Sequence, residues 1–163
     1  MENNLLQTIR LIADYQFGRG AGEILFPKTC RIQFSSTGRI RQIFDENRRI
    51  ATLKADTGLF SLSIEGAKRL HLFFKYPKLR VVVLNEVSDV ISEGKNVFAK
   101  HVVDVDKEIK AYDEVLIVNQ KDVLLGTGKA KLSAKEMLEF NRGVAVNTRQ
   151  GISKFKNQRF CKS

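Results

Sequence analysis

Short apolar runs separated by glycine bends fill the second half of the chain, and they restrict the folds open to it. Runs of strand length occupy residues 80–84, 97–103, 114–119, 123–132 and 144–148. Their length and composition are typical of β-strands. Gly126 and Gly128 fall inside the fourth run, where glycine indicates a bulge or a tight bend of a barrel. The pattern therefore favours a small mixed barrel of short, mostly antiparallel strands.

Two short helices are predicted among these strands. A helical turn covers residues 87–92, and a second helix runs from Ser133 to Phe140. Ser133 and Glu136 have the spacing of a capping box, in which the serine hydroxyl and the glutamate carboxylate bind amide groups left free at the start of a helix. These helices agree with a mixed barrel.

The first half is predicted to open with an amphipathic helix. Leu5, Ile9 and Ala13 recur at helical spacing, and the glycines of residues 18–22 end the helix. Those glycines lack the spacing of a Rossmann or P-loop motif, and they follow a helix rather than a strand. A turn is therefore favoured over a nucleotide site, and no small-molecule cofactor is expected.

A β-hairpin is predicted next, followed by a strand near residues 60–64 and a helix over 65–74. Residues 30–35 and 39–44 alternate in character on either side of a Ser-Thr-Gly turn, as the two strands of a hairpin do. Arginines surround this hairpin and the turn after it, and they form either a solvated basic face or a patch that contacts RNA phosphates: Arg39, Arg41, Arg48 and Arg49.

The Tyr76-Pro77 pair marks the predicted boundary between two domains. Proline disfavours helix in the residue before it, and the chain contains only 2 prolines, so this signal is informative. We predict an α+β domain over residues 1–76, a β-rich domain over 77–153 and a basic tail over 154–163.

Positive charge is distributed unevenly along the chain. The formal net charge is +10, with 12 Lys and Arg against 7 Asp and Glu in residues 1–76, and 12 against 11 in residues 77–152. The last 11 residues hold 4 basic and no acidic side chains, among them the candidate phosphate contacts Lys154 and Lys156. A polyanion would thus be held by the first half and the tail, while the central module makes more local contacts.

Several classes of function are disfavoured. No apolar run approaches the length of a membrane span and the start lacks a signal-peptide pattern, so a cytoplasmic protein without membrane contact is expected. Cys30 and Cys161 are too few and too far apart for a disulfide framework or a zinc site, and we expect free thiols. His71, on an apolar helix face, and His101, within a strand, lack nucleophile or metal-ligand partners, which favours structural roles.

Acidic residues cluster between the second and third strands of the second half. Their spacing fits no calcium-binding loop, and a solvated turn is favoured over paired catalytic carboxylates or a cation site. The cluster comprises Asp104, Asp106, Glu108, Asp113 and Glu114.

An ordered series of motifs runs through both halves. In the second half they are Gly94–Lys100, Asp113–Val115, Leu124–Gly126, Leu132–Ser133 with Glu136–Met137, and Gly143–Val146. In the first half they are Ala13–Gly18 with Gly20–Gly22, Gly38–Arg41 and Asp56–Phe60. The second-half series closely resembles a PUA domain. Together the two series are similar to the C-terminal part of archaeal tRNA-guanine transglycosylases and related archaeosine synthases.

The resemblance implies the α+β fold class, with a small α/β pre-PUA domain followed by a PUA pseudo-barrel of mostly antiparallel strands and short helices. It also implies RNA binding, chiefly of tRNA, by the first PUA helix, the glycine loop after it, the next strand and the end of the last strand. The implied RNA-binding residues are Gly94, Lys95, Asn96, Val97, Phe98, Lys100 and Arg149.

These residue types suit an RNA ligand. Gly94 allows close approach of the backbone to a nucleotide, and Lys95 and Lys100 can neutralise phosphates. Asn96 can hydrogen-bond a phosphate, a 2′-hydroxyl or a base edge. Phe98 can stack on an unpaired base, although a place in the core is favoured for it.

The resemblance further implies that catalysis belongs to a separate, larger barrel. Such a barrel needs about 250 residues and this chain has 163, so we expect no catalytic residue, metal or cofactor here. We expect a non-catalytic subunit or adaptor that binds tRNA or another structured RNA and presents it to a separately encoded tRNA-modifying enzyme. Two alternatives stay open: a ribosome-associated translation or recycling factor with a PUA domain, and a small RNA-modifying enzyme with an unrecognised site.

Overall fold

The computed structural model describes residues 2–153, and internal contacts divide the chain into two compact units. The first unit ends at Phe73 and the second begins at Phe74. Within the described residues each unit has a sheet of its own, with short helices beside it. This organisation confirms the predicted α+β class. The basic tail with Lys154 and Lys156, and also Cys161, lies outside the described residues.

The first unit combines helices with an antiparallel sheet. Its described elements are α1 (Glu2–Phe17), α2 (Ala21–Leu25), β1 (Arg31–Phe34), β2 (Ile40–Asp45), β3 (Arg48–Leu53), β4 (Phe60–Leu62) and α3 (Ile64–Phe73). The sheet order is β1-β2-β3-β4. The pairing of β1 with β2 confirms the predicted hairpin. The first helix ends where predicted, because Gly18 takes a φ of 125° that other residues rarely adopt.

The sequence does not predict α2 or β3. Arg48 and Arg49 begin β3 and directly follow a turn, which confirms their predicted place beside the turn after the first hairpin. The turn itself is Glu46-Asn47, whose φ angles of 52° and 63° make a two-residue hairpin connection. Neither residue is glycine, so the usual sequence signal for such a turn is missing.

The core of the first unit lies between α1 and the sheet. Ile9, Ala13 and Phe17 recur every four residues and are buried, which places them on one face of α1. The Gln16 side chain fixes this helix to β4: its amide nitrogen donates to the Phe60 carbonyl over 2.8 Å, and its oxygen accepts from the Phe60 amide over 2.7 Å. The helix is therefore held by both packing and hydrogen bonds.

A buried ion pair joins α3 to two other segments of the first unit. Arg69 donates to the Asp45 carboxylate over 2.8 Å and to the Leu25 carbonyl over 3.1 Å. Thr29 donates to the other oxygen of Asp45 over 2.7 Å. Burial alone would raise the pKa of Asp45. The hydrogen bonds from Thr29 and Arg69, together with the charge of Arg69, outweigh burial and hold that pKa below its ordinary value.

The second unit is a nearly closed pseudo-barrel. Its described elements are β5 (Arg80–Val83), α4 (Ser88–Ser92), β6 (Val97–Phe98), β7 (Val102–Val105), β8 (Glu114–Asn119), β9 (Leu124–Ala130), α5 (Ala134–Glu139) and β10 (Val144–Gly151). The sheet order is β6-β10-β9-β8-β5-β7, and only the β5–β8 pair is parallel among the described strands. Val81, Val83, Ile117 and Val146 belong to its buried apolar core.

The predicted strand over residues 97–103 is interrupted. A 3₁₀ turn over Ala99–His101 separates β6 from β7, so the placement of His101 within a strand is wrong. The interruption has a geometric cause, because β6 pairs with β10 at one edge of the sheet order whereas β7 pairs with β5 at the other. The turn carries the chain from one edge of the nearly closed sheet to the other.

Two local predictions for the second unit are confirmed. Ser133 and Glu136 form the capping box of α5, with backbone-to-side-chain hydrogen bonds of 3.0 and 3.3 Å. Gly126 and Gly128 lie opposite a register shift in β10, where a side chain on either glycine would collide with the β10 backbone.

No helix within residues 2–153 is both long and apolar enough to cross a membrane.

Candidate nucleic-acid interface

The loop between α4 and β6 contains the first three predicted RNA-binding residues. Gly94 has a φ of 100°, and its amide donates to the Ile91 carbonyl over 2.9 Å, which ends the helix. Any other residue at this position would be strained. Lys95 and Asn96 follow immediately, and both are exposed. The glycine therefore turns a cationic and an amide side chain into solvent.

The loop is fixed against the last strand. The side-chain oxygen of Asn96 accepts from the Thr148 amide over 3.1 Å. A methyl group added to Gly151 would overlap the Ser92 carbonyl oxygen and the Gly94 nitrogen, so the end of β10 lies directly against the loop. The loop is thus held in one conformation before any ligand arrives, which reduces the entropy lost on binding.

Val97 and Phe98 point to opposite sides of β6. Val97 is fully buried, so its side chain is not available to a ligand. Phe98 is 45% exposed, and the preference for a core position is wrong for this residue. The reason is the alternation of a strand, in which Val97 takes the inward place. The Phe98 ring meets His101 edge-on, with centroids 6.3 Å apart, and Lys100 between them in sequence is exposed.

Arg149 has a different environment from the other predicted site residues. Its guanidinium binds both oxygens of Glu114, one of them over 2.8 Å. Glu114 is only 6% exposed, and the pair connects β10 to β8 across β9. A carboxylate buried to this extent needs a cation beside it. Glu114 therefore neutralises part of the charge of Arg149. Contact between Arg149 and RNA stays a prediction.

The expectation of a solvated turn is correct for only part of the acidic cluster, since Asp104, Glu108 and Asp113 are exposed whereas Asp106 and Glu114 are buried. Asp106 is buried and accepts from the Leu79 amide over 2.8 Å and from the Glu108 amide over 3.1 Å. Asp113 accepts from the Lys110 amide over 2.9 Å. These carboxylates shape the backbone. Among residues 2–153 no group of His, Cys, Asp and Glu could hold a metal ion.

One further carboxylate of this cluster faces a tyrosine. The Tyr76 hydroxyl donates to Asp104. That hydrogen bond, with smaller contributions from burial and from nearby negative charge, raises the pKa of Tyr76 to about 12. Tyr76 therefore stays protonated across the physiological pH range.

The candidate phosphate contacts of the first unit fall into two pairs. Arg39 and Arg41 lie near the start of β2 and are exposed, whereas Arg48 and Arg49 begin β3, beside the far end of β2. The two pairs are about 13 Å apart along the strand, at about 3.3 Å per residue. Arg48 also pairs with Glu65 over 3.3 Å. The arginines are therefore not one continuous patch.

A group of residues that the sequence analysis does not single out also lies on the surface of the second unit. Tyr112 is 65% exposed, and the ammonium groups of Lys129 and Lys131 lie 5.2 and 5.9 Å from the centre of its ring. Tyr112 is remote from both lysines in sequence. Two backbone hydrogen bonds bring them together, from the Tyr112 amide to the Ala130 carbonyl over 2.7 Å and from the Ala130 amide to the Asp113 carbonyl over 2.8 Å.

Comparison with known families gives a match for each half. A family described as the patch-forming domain C2 of tRNA-guanine transglycosylase matches residues 7–77, and the PUA domain family matches residues 79–152.

Known proteins similar to the chain cover both halves at once. A tRNA-guanine(15) transglycosylase of Methanothermobacter thermautotrophicus is 51% identical over 147 residues, which are 90% of this chain and 22% of that protein. The protein of the same name from Pyrococcus furiosus is 48% identical over 153 residues, covering 94% of this chain and 26% of that protein. The chain thus spans about a quarter of the length of these relatives and corresponds to their C-terminal part.

A solved structure shares the fold. A hypothetical protein from the hyperthermophilic archaeon Pyrococcus horikoshii OT3 superposes with a TM-score of 0.70 over 93% of this chain and 91% of that one, at 24% identity.

Proposed function

We propose that the chain binds tRNA through the second unit, since residues 7–77 match the patch-forming domain C2 of tRNA-guanine transglycosylase and residues 79–152 match the PUA domain family. The observation that carries the proposal is the fixed loop over residues 94–96, which presents Lys95 and Asn96 to solvent beside the exposed Phe98 and Lys100. The auxiliary contacts at Arg39 and Arg41 belong to the same proposal.

The chemistry of this surface supports an RNA ligand. Lys95 and Lys100 supply positive charge for phosphates, and the amide of Asn96 supplies a hydrogen-bond donor. The half-exposed ring of Phe98 offers a face on which an unpaired base can stack. The same surface also has few conformations to lose, because Asn96 and Gly151 hold the loop against β10.

Binding of fluorescent tRNA at several salt concentrations tests the proposal. We expect Lys95→Ala combined with Asn96→Ala to weaken binding about tenfold and to lower the slope of log affinity against log salt by about one. The matched control is Lys107→Ala, an exposed lysine past the far end of β7. Equal losses in the control, unchanged affinity in the double variant, or equal affinity for duplex DNA would contradict the proposal.

We infer that the chain acts as a non-catalytic subunit that presents tRNA to a modifying enzyme. The inference is supported by the identity of 51% and 48% to tRNA-guanine(15) transglycosylases over a region made of a C2 and a PUA domain. Affinity purification from the source cells, with and without ribonuclease, tests it. We expect a transglycosylase-type enzyme that stays bound after ribonuclease treatment. Recovery of ribosomal subunits in its place would contradict the inference.

A further inference from the structure

We propose that Tyr112, Lys129 and Lys131 form a second RNA contact, at which an unpaired nucleotide stacks on the tyrosine ring and the lysines bind its flanking phosphates. We call these three residues the tyrosine platform. The proposal rests on the proposed function, since it concerns the same RNA ligand and the same unit.

The backbone holds the ring of Tyr112 outward. Tyr112 has a φ of 73°, in the left-handed region that a bulky residue rarely occupies. Its amide donates to Ala130 over 2.7 Å, and the Ala130 amide donates back to the Asp113 carbonyl over 2.8 Å. Glycine or asparagine would fit this position with less strain. The large aromatic ring of Tyr112 is therefore 65% exposed at a position where the backbone conformation favours a small residue.

The charge around the ring is positive. Lys129 and Lys131 are two residues apart, on the same side of the chain at the end of β9, and both ammonium groups lie within 6 Å of the ring centre, at 5.2 and 5.9 Å. Neither lysine has a recorded ion pair within the described residues. The acid in register with Lys129 is Glu114, which is bound by Arg149. Both ammonium groups thus contact the ring without being neutralised by a carboxylate in residues 2–153, so their charge can still attract an anion.

The combination of ring and ammonium groups selects the class of ligand. A ring that is 65% exposed and has two ammonium groups over it suits a nucleotide, whose flat base can stack on the ring while its phosphates bind the ammonium groups. An acidic peptide would use the lysines but would leave the ring face uncovered. The ligand that uses every exposed group of the platform is an unpaired nucleotide of an RNA strand.

One strand, β10, separates the platform from the loop over residues 94–96. Lys129 is the register partner of Asn147 in β10, and the next residue, Thr148, donates its amide to Asn96. The platform and the loop lie on opposite sides of one strand, about 10 Å apart at the usual spacing of neighbouring strands. A single RNA strand can therefore contact both.

Tyrosine fluorescence and tRNA affinity test the platform in the full chain, which has 3 tyrosines and no tryptophan. RNA with a single-stranded end should quench the emission of the wild-type chain, and Tyr112→Phe should remove most of that quenching while keeping affinity within about twofold. Tyr112→Ala should weaken binding about tenfold, the usual cost of losing one stacked base. Lys129→Gln with Lys131→Gln should weaken it more than the charge-matched pair Lys107→Gln with Lys121→Gln.

Several results would overturn the platform. These are unchanged affinity in Tyr112→Ala, equal loss in Tyr112→Phe, equal quenching by blunt duplex RNA, or efficient competition by poly-glutamate. Thermal melting of each variant shows whether it is folded, and Tyr112→Phe preserves the ring if Tyr112→Ala does not fold. If Lys95→Ala with Asn96→Ala weakens binding while Tyr112→Ala does not, the platform fails and the proposed function stands. If the wild-type chain binds no tRNA, both fail.

Discussion

Asp45 in the first unit and Glu114 in the second are both buried carboxylates bound by an arginine, yet their surroundings differ. Asp45 also accepts the Thr29 hydroxyl, and its partner Arg69 also donates to the Leu25 carbonyl. Glu114 is bound at both oxygens by Arg149. Removing Arg69 breaks a bond to one oxygen of Asp45 and leaves the bond from Thr29, whereas removing Arg149 breaks a bond to each oxygen of Glu114. Removing the arginine should therefore lower the free energy of unfolding more in the second unit.

The comparison also shows why net charge is a poor guide to the proposed RNA-binding surface. Several arginines of this basic chain bind carboxylates within their own unit, including Arg69, Arg80 and Arg149. The second unit is nearly neutral by sequence, yet its lysines at 95, 100 and 131 are exposed. The surface that we propose for RNA is therefore identified by which lysines are exposed in the folded unit, and composition cannot reveal that.

The largest effect is expected for Arg149→Met. Removing the guanidinium leaves Glu114 buried without its bidentate partner, and we expect the free energy of unfolding of the second unit to fall by about 3 kcal/mol. Amide hydrogen exchange in β8 and β9 measures this unit separately from the first. Adding Glu114→Gln should restore most of the lost stability, because a buried neutral amide does not need a cation beside it. If Arg149→Met lowers the free energy of unfolding by less than about 1 kcal/mol, the stabilising role of the Arg149–Glu114 pair is contradicted.

Arg69→Met should produce the second-largest effect. It removes the donor to Asp45 and to the Leu25 carbonyl, but Thr29 remains, so we expect a loss of about 2 kcal/mol in the first unit. Hydrogen exchange in β2 and β3 reports it, and Arg41→Met, an exposed arginine of the same unit, is the matched control. A loss as large as that of Arg149→Met would remove the contrast between the two carboxylates.

Acid should reduce the contribution of Asp45. Its pKa in the folded chain lies below the ordinary value of 3.8, so the unfolded chain takes up this proton at a higher pH than the folded chain does. The stabilisation is complete well above pH 3.8 and is lost as the pH falls through the folded pKa. The stability difference between wild type and Asp45→Asn should therefore shrink on acidification. A difference that is constant between neutral and acidic pH would contradict the role of the ion pair.

The smallest effect is expected for Arg48→Met. Arg48 pairs with Glu65 over 3.3 Å, but its side chain is 41% exposed. Exposed pairs of this kind contribute little, and we expect a change of about 0.5 kcal/mol or less in the first unit. Hydrogen exchange of the β3 amides, measured at increasing urea concentrations, gives this change in the free energy of unfolding. A loss approaching that of Arg69→Met would mean that exposure does not separate the two arginines.

Features with local causes could be predicted from the sequence. The capping box of Ser133 and Glu136 and the hairpin of β1 and β2 depend on residues close together in the chain. Gly126 and Gly128 also indicate the irregular pairing of β9 with β10, because glycine inside a strand leaves room for a close neighbour.

Features that depend on distant partners could not be predicted. The break at residues 99–101 arises because β6 and β7 pair with different strands. Glu114 belongs to an acidic run that gives no sign of its partner Arg149. The tyrosine platform requires the hydrogen bond between Tyr112 and Ala130. Within the candidate site, the residue types are visible in the sequence, but the exposure of Phe98 and the burial of Val97 follow only from the pairing of β6 with β10.

The close contact of Gly151 with the backbone of Ser92 and Gly94 determines where a reporter group can be placed. β10 ends beside the loop over residues 94–96, and the Ser153 hydroxyl that follows it donates to the Ser92 hydroxyl over 3.0 Å. If RNA binds at the loop as proposed, a dye or surface tether attached through Ser153→Cys should occupy its space and lower the measured affinity. Attachment through Lys107→Cys, past the far end of β7, keeps that approach open for binding measurements.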